Sequence, residues 1–216
     1  MKLLKLILIS MTALLLFLSS SWAMDKFGQD VSPELEAKTL LARMLRQPFR
    51  PDTYDPKKSV EQLLEVVESK ADYFRAYFNL GLAYHELDDY PNAKAAFNKA
   101  IIIRHELNIE DTSVVNTAGW VAMKHGDFSH AEGLLKQAEA LTINEESFTK
   151  RATISNLGEL YFLTQRFEEA ERYLTRSLQD YGNEAAQYYL DVIAATQKLE
   201  KNIAGDIPAA TPEALQ

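Results

Sequence analysis

The four histidines are the side chains in this chain best suited to acid–base or metal chemistry, and their spacing favours neither. His125 and His130 lie five residues apart across an expected turn, so they do not share a helix face. His85 and His105 are each followed by glutamate, as in a zinc-protease motif. That motif needs a second histidine four residues after the first, and neither has one. We therefore predict no metal site.

Other catalytic patterns are also missing from the sequence. The chain has no cysteine, which excludes thiol chemistry, thiolate metal sites and disulfides. No glycine-rich phosphate loop and no serine in a nucleophile-elbow context is present. Adjacent acids, Asp88-Asp89 and Glu168-Glu169, fall at expected turns or helix starts, where carboxylates favour the helix dipole. The sequence predicts a protein that is not an enzyme and that needs no cofactor.

The elements around these residues form a repeat. Gly81, Gly119 and Gly158 are 38 and 39 residues apart, and each sits in the same pattern of small and bulky residues. A constant period of this length is typical of stacked helical hairpins. A glycine inside a helix costs about 0.5–1 kcal/mol relative to alanine, so each is expected at a close helix crossing. We expect Gly81 to lie near Phe97, and these glycines to tolerate alanine but not leucine.

The pattern resembles the tetratricopeptide repeat (TPR) family. The first copy matches almost completely, at Tyr77, Leu80, Gly81, Tyr84, Ala93, Phe97 and Ala100. The third matches at Leu157, Gly158, Tyr161 and Ala170, and the second is weakest, with Gly119, Ala131 and Ala138. The family's unit is about 34 residues, so these copies are longer by four or five. The resemblance implies an all-α, helical-hairpin repeat solenoid with terminal capping helices.

These observations divide the chain into five parts. They are a signal peptide (1–23), a lead with a capping helix pair (24–72), a segment of three repeats (73–182, with copies at about 74–107, 112–145 and 151–184), a C-terminal capping helix (183–201) and a disordered tail (202–216). Ser32 and Pro33 mark the start of the first capping helix, and Pro48 marks its end.

The amino terminus has the pattern of a signal peptide. Lys2 and Lys5 precede a mostly apolar run of 13 residues, Leu6–Leu18, and Ser21-Trp22-Ala23 offers small residues for cleavage. A spanning helix needs roughly 20 apolar residues, so a retained anchor is the less favoured alternative. We expect a periplasmic or secreted protein that meets the membrane only transiently, through this segment.

The remaining chain is acidic. Without residues 1–23 it carries 21 basic and 31 acidic residues, a net charge of −10. Such a surface repels phosphate backbones and anionic lipid, which argues against nucleic acid and peripheral membrane binding.

The TPR resemblance also implies a binding groove lined by the first helix of each repeat. The expected groove residues are Phe78, Leu82 and His85; Asn116, Trp120 and Met123; and Ser155, Glu159 and Phe162, with Arg75, Asn79 and Asn156 at the polar margins. Each triplet follows the spacing i, i+4, i+7 and so lies on one helix face. The alternative is that some of these side chains pack between neighbouring helices. Trp120 in particular fits either a groove or a core filler.

An apolar, aromatic groove suits a protein partner that presents an amphipathic helix or an apolar peptide. We therefore predict an exported protein-interaction scaffold or adaptor, acting in the assembly of an envelope complex. Two alternatives remain: a small-molecule or lipid-binding protein that uses the same groove, and an enzyme whose site is completed by a partner.

Export gives the first testable prediction. The protein recovered from cells should begin at Met24, because cleavage is expected after Ala23. Intact mass or amino-terminal sequencing measures this directly. A full-length, membrane-bound species as the sole product would contradict it.

Overall fold

The computed structural model describes residues 28–144 and 146–206, and these residues form nine α-helices. The helices are α1 (Pro33–Leu45), α2 (Pro56–Ser69), α3 (Phe74–Glu86), α4 (Tyr90–Glu106), α5 (Ser113–Lys124), α6 (Phe128–Leu141), α7 (Phe148–Leu163), α8 (Phe167–Tyr181) and α9 (Ala185–Asp206). The predicted all-α, helical-repeat fold class is confirmed. Helix pairs α3–α4, α5–α6 and α7–α8 occupy the three expected repeats.

Side-chain caps explain where several helices begin. The Ser32 Oγ accepts a hydrogen bond from the Leu35 N–H, and Pro33 follows at the first helical position, as predicted. Asp55, Asp89 and Asp127 cap α2, α4 and α6 in the same way. Each cap satisfies a backbone N–H that the first helical turn cannot.

The chain divides into two compact units between Ala118 and Gly119, within α5. In the first unit, α2 packs against α1 and α3, and α3 packs against α4. Its buried core draws on all four helices and on Val31 before them. The members include Val31, Ala42, Val60, Leu63, Val66, Tyr73, Ala76, Leu80, Ala83 and Ala96.

In the second unit, α7 contacts α6, α8 and α9. A polar cluster at Glu132 joins α6, α7 and the turn before α8. Arg166 Nη1 lies 2.8 Å from one Glu132 oxygen, and the Tyr161 hydroxyl donates to the other at 3.0 Å. The Arg166 guanidinium also lies 4.4 Å from the centre of the Tyr161 ring. Burial raises the pKa of Tyr161 to about 12, and its bond to Glu132 adds to the effect.

Each repeat has a close helix crossing at its glycine. A Cβ added at Gly81 would lie 2.8 Å from the Phe97 ring, as the sequence predicted. The same addition at Gly119 would lie 2.8 Å from Leu135, and at Gly158 2.8 Å from Leu174. The bulky residue follows its glycine by 16 positions in every copy. One packing unit therefore recurs three times.

The turn inside each hairpin also repeats. Asp88, Gly126 and Gln165 adopt positive φ angles of 60°, 77° and 58°, and each follows its glycine by seven residues. Positive φ is unfavourable for residues other than glycine, so Asp88 and Gln165 hold a strained backbone conformation. The middle repeat avoids this strain because Gly126 occupies the same position. The turn keeps this conformation because it positions the second helix of the hairpin against the glycine of the first.

The carboxy-terminal helix differs from the prediction. α9 ends at Asp206 rather than at residue 201, so residues 202–206, which were expected to be disordered, are helical. The apolar Ile203 continues the helix pattern that the nearby prolines obscured. The expected signal peptide (1–23) and residues 207–216 lie outside the described residues. No helix in the described ranges is long and apolar enough to cross a membrane.

The crossings correct one expectation. A contact of 2.8 Å is too short for a Cβ, so alanine is not tolerated freely at Gly81. We predict that Gly81→Ala destabilises the protein by ~1–3 kcal/mol, because the Phe97 ring is rigid and buried. Gly133→Ala is the matched control. It lies within α6, and its Cβ would meet nothing within 4 Å.

The control, Gly133→Ala, should stabilise the protein by about 0.5–1 kcal/mol, since it replaces a glycine in a helix by a residue with a higher helix propensity and creates no clash. Thermal or urea unfolding measures both changes. Equal effects of the two substitutions would show that the crossing does not limit stability.

Candidate functional site

The expected groove residues of the first unit lie on α3, and one of them is buried. Asn79 is 6% exposed, its Oδ1 accepts from Arg46 Nη2 at 2.9 Å, and its Nδ2 donates to the Arg75 carbonyl at 2.7 Å. Arg75 itself pairs with Glu36 at 3.1 Å. Asn79 is thus a structural residue, and its assignment to the groove margin is wrong. The amide faces inward because a buried arginine requires a partner there.

That arginine, Arg46, was not singled out from the sequence. Its side chain is 8% exposed, and Nη1 lies 3.1 Å from Glu86 Oε1. Burial lowers the pKa of Arg46 and raises the pKa of Glu86, while the pair opposes both shifts. The cluster joins the end of α1 to α3. It is an ion pair within the protein, and no sequence motif predicts it.

The remaining first-unit residues, Phe78, Leu82 and His85, are half-buried. The Phe78 ring stacks on Phe74 and is tilted against Phe97, with both centroid distances 6.2 Å. Phe78 therefore contributes to the packing of α3 on α4, as the alternative interpretation expected.

Two of the three expected groove residues on α5 are buried. Met123 is 2% exposed and Asn116 is 9% exposed. Their neighbours Val115, Val121 and Ala122 are fully buried as well. Little of either side chain is therefore left to line an open groove, contrary to the expectation. Trp120 is half-buried, so it packs inside the protein and keeps part of its surface in water.

In the second unit, α7 carries Ser155, Asn156, Glu159 and Phe162, all half-buried. Ser155 is directed to the carboxy-terminal end of α8. Its Oγ lies 2.7 Å from Ser177 Oγ, and both oxygens accept from Asn183 Nδ2. Its expected place in the groove is therefore not supported. Glu159 pairs with Lys124 at 2.6 Å.

Phe162 lies beside an open pocket. Its ring makes an edge contact with Tyr189, at a centroid distance of 4.9 Å, and a tilted one with Phe167 at 6.4 Å. The pocket, of about 380 Å³, is formed by the end of α7, the following turn, the start of α8 and the middle of α9. It is lined by Phe162, Leu163, Gln165, Phe167, Val192, Thr196 and Glu200. We call it the Phe162 pocket.

Exposed apolar side chains on α9 continue this surface. Tyr188, Leu199 and Ile203 are 67%, 62% and 64% exposed. With Val192 they follow the spacing i, i+4, i+11 and i+15, which keeps them on one helix face. Apolar residues at this spacing are also typical of the buried side of a helix, so periodicity alone could not show which side the rest of the unit covers.

A second pocket, of about 420 Å³, lies between α6, α7 and α8. Its lining is Lys136, Glu139, Ala140, Ile143, Lys150, Ile154 and Arg176. The charged groups are already paired within the unit: Lys136 and Arg176 with Glu139, and Lys150 with Glu146. Within residues 28–144 and 146–206, no three His, Asp or Glu side chains are grouped to hold a metal ion.

Comparison with known proteins identifies the repeats. Two tetratricopeptide repeat models match the chain, one at residues 74–107 and the other at residues 150–182. A search of curated protein sequences found no match.

Similar solved structures share the fold. One is pilF of Pseudomonas aeruginosa, with a TM-score of 0.61 and 15% identity over 76% of this chain and 70% of that chain. PilW, described as a widely conserved type IV pilus biogenesis factor, gives 0.56 and 19% over 69% and 63%. MamA from Desulfovibrio magneticus RS-1 gives 0.60 and 18% over 78% and 90%. The two matched segments of this all-α chain are therefore tetratricopeptide repeats.

Proposed function

We propose that the protein is an exported interaction scaffold whose second unit binds a basic amphipathic helix of a partner protein. The partner's apolar side chains enter the Phe162 pocket and cover the stripe on α9. The observation that carries this proposal is that Val192 belongs both to the lining of the Phe162 pocket and to the apolar face of α9. TPR proteins bind protein partners, which makes a helix-binding surface the expected use of such a fold.

The position of the stripe supports a macromolecular occupant. Terminal helices of repeat proteins need a polar outer face for solubility. α9 is the last helix of the described chain, yet Leu199 and Ile203 stand largely in water. Contiguous exposed apolar surface of this kind usually marks an interaction site.

A small molecule fits the surface less well. The volume of the Phe162 pocket falls in the ~300–1,000 Å³ range of ligand sites. However, a ligand confined to it would leave Tyr188, Leu199 and Ile203 exposed. A helix laid along α9 covers the pocket and the stripe together, by the usual helix-in-groove mode.

The negative charge of the protein determines which kind of partner helix is expected to bind. Glu200 lies on the pocket lining, and the full chain carries a net charge of −8. Basic residues flanking the apolar face of a partner would complement this field and favour association. An acidic helix would be repelled.

The similar structures fit a role in the cell envelope, because PilW is described as a pilus biogenesis factor. The amino-terminal pattern of Leu6–Leu18 fits the same compartment. Both observations support the proposal that the scaffold acts in the periplasm, or outside the cell, in the assembly of an envelope complex.

A labelled model peptide tests the site. We expect a helix with leucine on one face and lysine on the other to bind the protein in fluorescence anisotropy, and its Leu/Glu counterpart to bind at least ten-fold more weakly. Leu199→Ser combined with Ile203→Ser should weaken the Leu/Lys peptide at least ten-fold, because a large share of affinity comes from a few buried apolar anchors.

Phe148→Ser is the matched control. Phe148 is 84% exposed in the same unit but outside the Phe162 pocket and the α9 stripe. Its loss should leave affinity and melting temperature unchanged. If both variants bind the Leu/Lys peptide like the wild type, the attraction is general electrostatics and the site is wrong.

A further inference from the structure

A second apolar surface lies on α1, in the first unit. This helix buries Thr39, Ala42 and Leu45 against the core. On its opposite side, the apolar residues Ala37, Leu40, Leu41 and Met44 are exposed. We call these four residues the α1 stripe.

The α1 stripe has the spacing of a helix–helix contact. Its members follow at i, i+3, i+4 and i+7, the pattern by which one helix packs along another. Leu40 and Leu41 are 48% and 46% exposed, and Met44 is 36% exposed. A single exposed leucine would need no explanation, whereas two full turns of apolar residues facing water do.

We propose that two copies of the chain associate through the α1 stripe, with the two helices antiparallel about a two-fold axis. Such an interface uses the same surface on both copies. The axis passes between Leu40 and Leu41. Each Ala37 then faces the Met44 of the other copy, so a small residue meets a large one along the contact.

Charge favours this orientation. Glu36 and Arg43 lie along the same edge of the α1 stripe, one near each end. A two-fold axis keeps that edge on one side, so each Glu36 comes beside the other copy's Arg43. Arg43 is exposed and forms no ion pair within the described part of the chain. Glu36 binds Arg75 through Oε1 and remains 45% exposed.

A parallel pair lacks this complementarity, because its two-fold axis puts the Glu36–Arg43 edges of the two copies on opposite sides of the contact and aligns the two helix dipoles. The inference does not depend on the Phe162 pocket, which lies in the other unit. A membrane is the poorer occupant, since the chain carries a net charge of −8 and anionic lipid would repel it.

The absence of native cysteine allows a clean cross-linking test. In the protein as cells process it, Leu40→Cys should form a disulfide-linked dimer on mild oxidation, because this position lies next to the axis. Ala37→Cys and Met44→Cys should not link when each is oxidised alone. A mixture of those two should link, because residue 37 faces residue 44 of the other copy.

Linkage of Ala37→Cys alone at the rate of Leu40→Cys would overturn the antiparallel arrangement. Equal linkage of all variants would indicate random collision and overturn the interface itself.

Sedimentation equilibrium supplies the second test. Leu40→Glu should lower the association constant at least ten-fold. Leu64→Glu, at a residue of α2 that is 44% exposed and outside the stripe, should leave it unchanged. A wild-type protein that stays monomeric on the order of 100 µM would overturn the proposal. Protection of the Leu40→Cys thiol in such a monomer would assign the α1 stripe to the amino-terminal segment instead.

Discussion

The close crossing of two helices within each hairpin is the contact that organises this protein. A glycine on the first helix accepts a buried side chain from the second, and no room remains for even one methyl group. Because the contact is so tight, it fixes the distance between the helices and therefore the register of the turn that joins them. Interiors this dense do not deform gradually, so the contact tolerates little change in either side chain. Gly81 with Phe97 gives the clearest example, since a rigid aromatic ring cannot change its shape to make room for an added Cβ.

Much of this architecture was accessible from the sequence because it depends on local chemistry. Glycine spacing, Ser32 and Asp89 as caps, and the 16-residue offset to Phe97 each act within one hairpin. The candidate site was harder to predict. Whether Met123 or Asn79 faces water is decided by residues distant in the chain, such as Arg46, which binds the Asn79 amide. Periodicity shows which residues share one face of a helix, but the neighbouring elements decide whether that face is exposed or buried.

The α1 stripe and the exposed apolar face of α9 share one physical property. Both α1 and α9 have an apolar face toward the core and a second apolar face toward water. Since a polar outer face is the usual solution for a helix of this kind, these helices carry a solubility cost that only association removes. The proposed interfaces would account for Leu40 and Leu199 in place of polar residues. The pocket lined by Lys136, Glu139 and Arg176 shows the opposite case. Its charged side chains form ion pairs with one another, so it needs no partner to satisfy them.

The order of contacts within each unit has a consequence for how the protein forms. In the first unit α2 packs on α1 and α3, and α3 packs on α4; in the second, α7 packs on α6 and α8, and α8 packs on α9. Contacts between neighbours in sequence require little loop-closure entropy, so such chains fold quickly. A hairpin can close once its own two helices are available. A chain that emerges gradually, from a ribosome or through a membrane pore, can therefore fold from its amino-terminal end before synthesis or transport is complete.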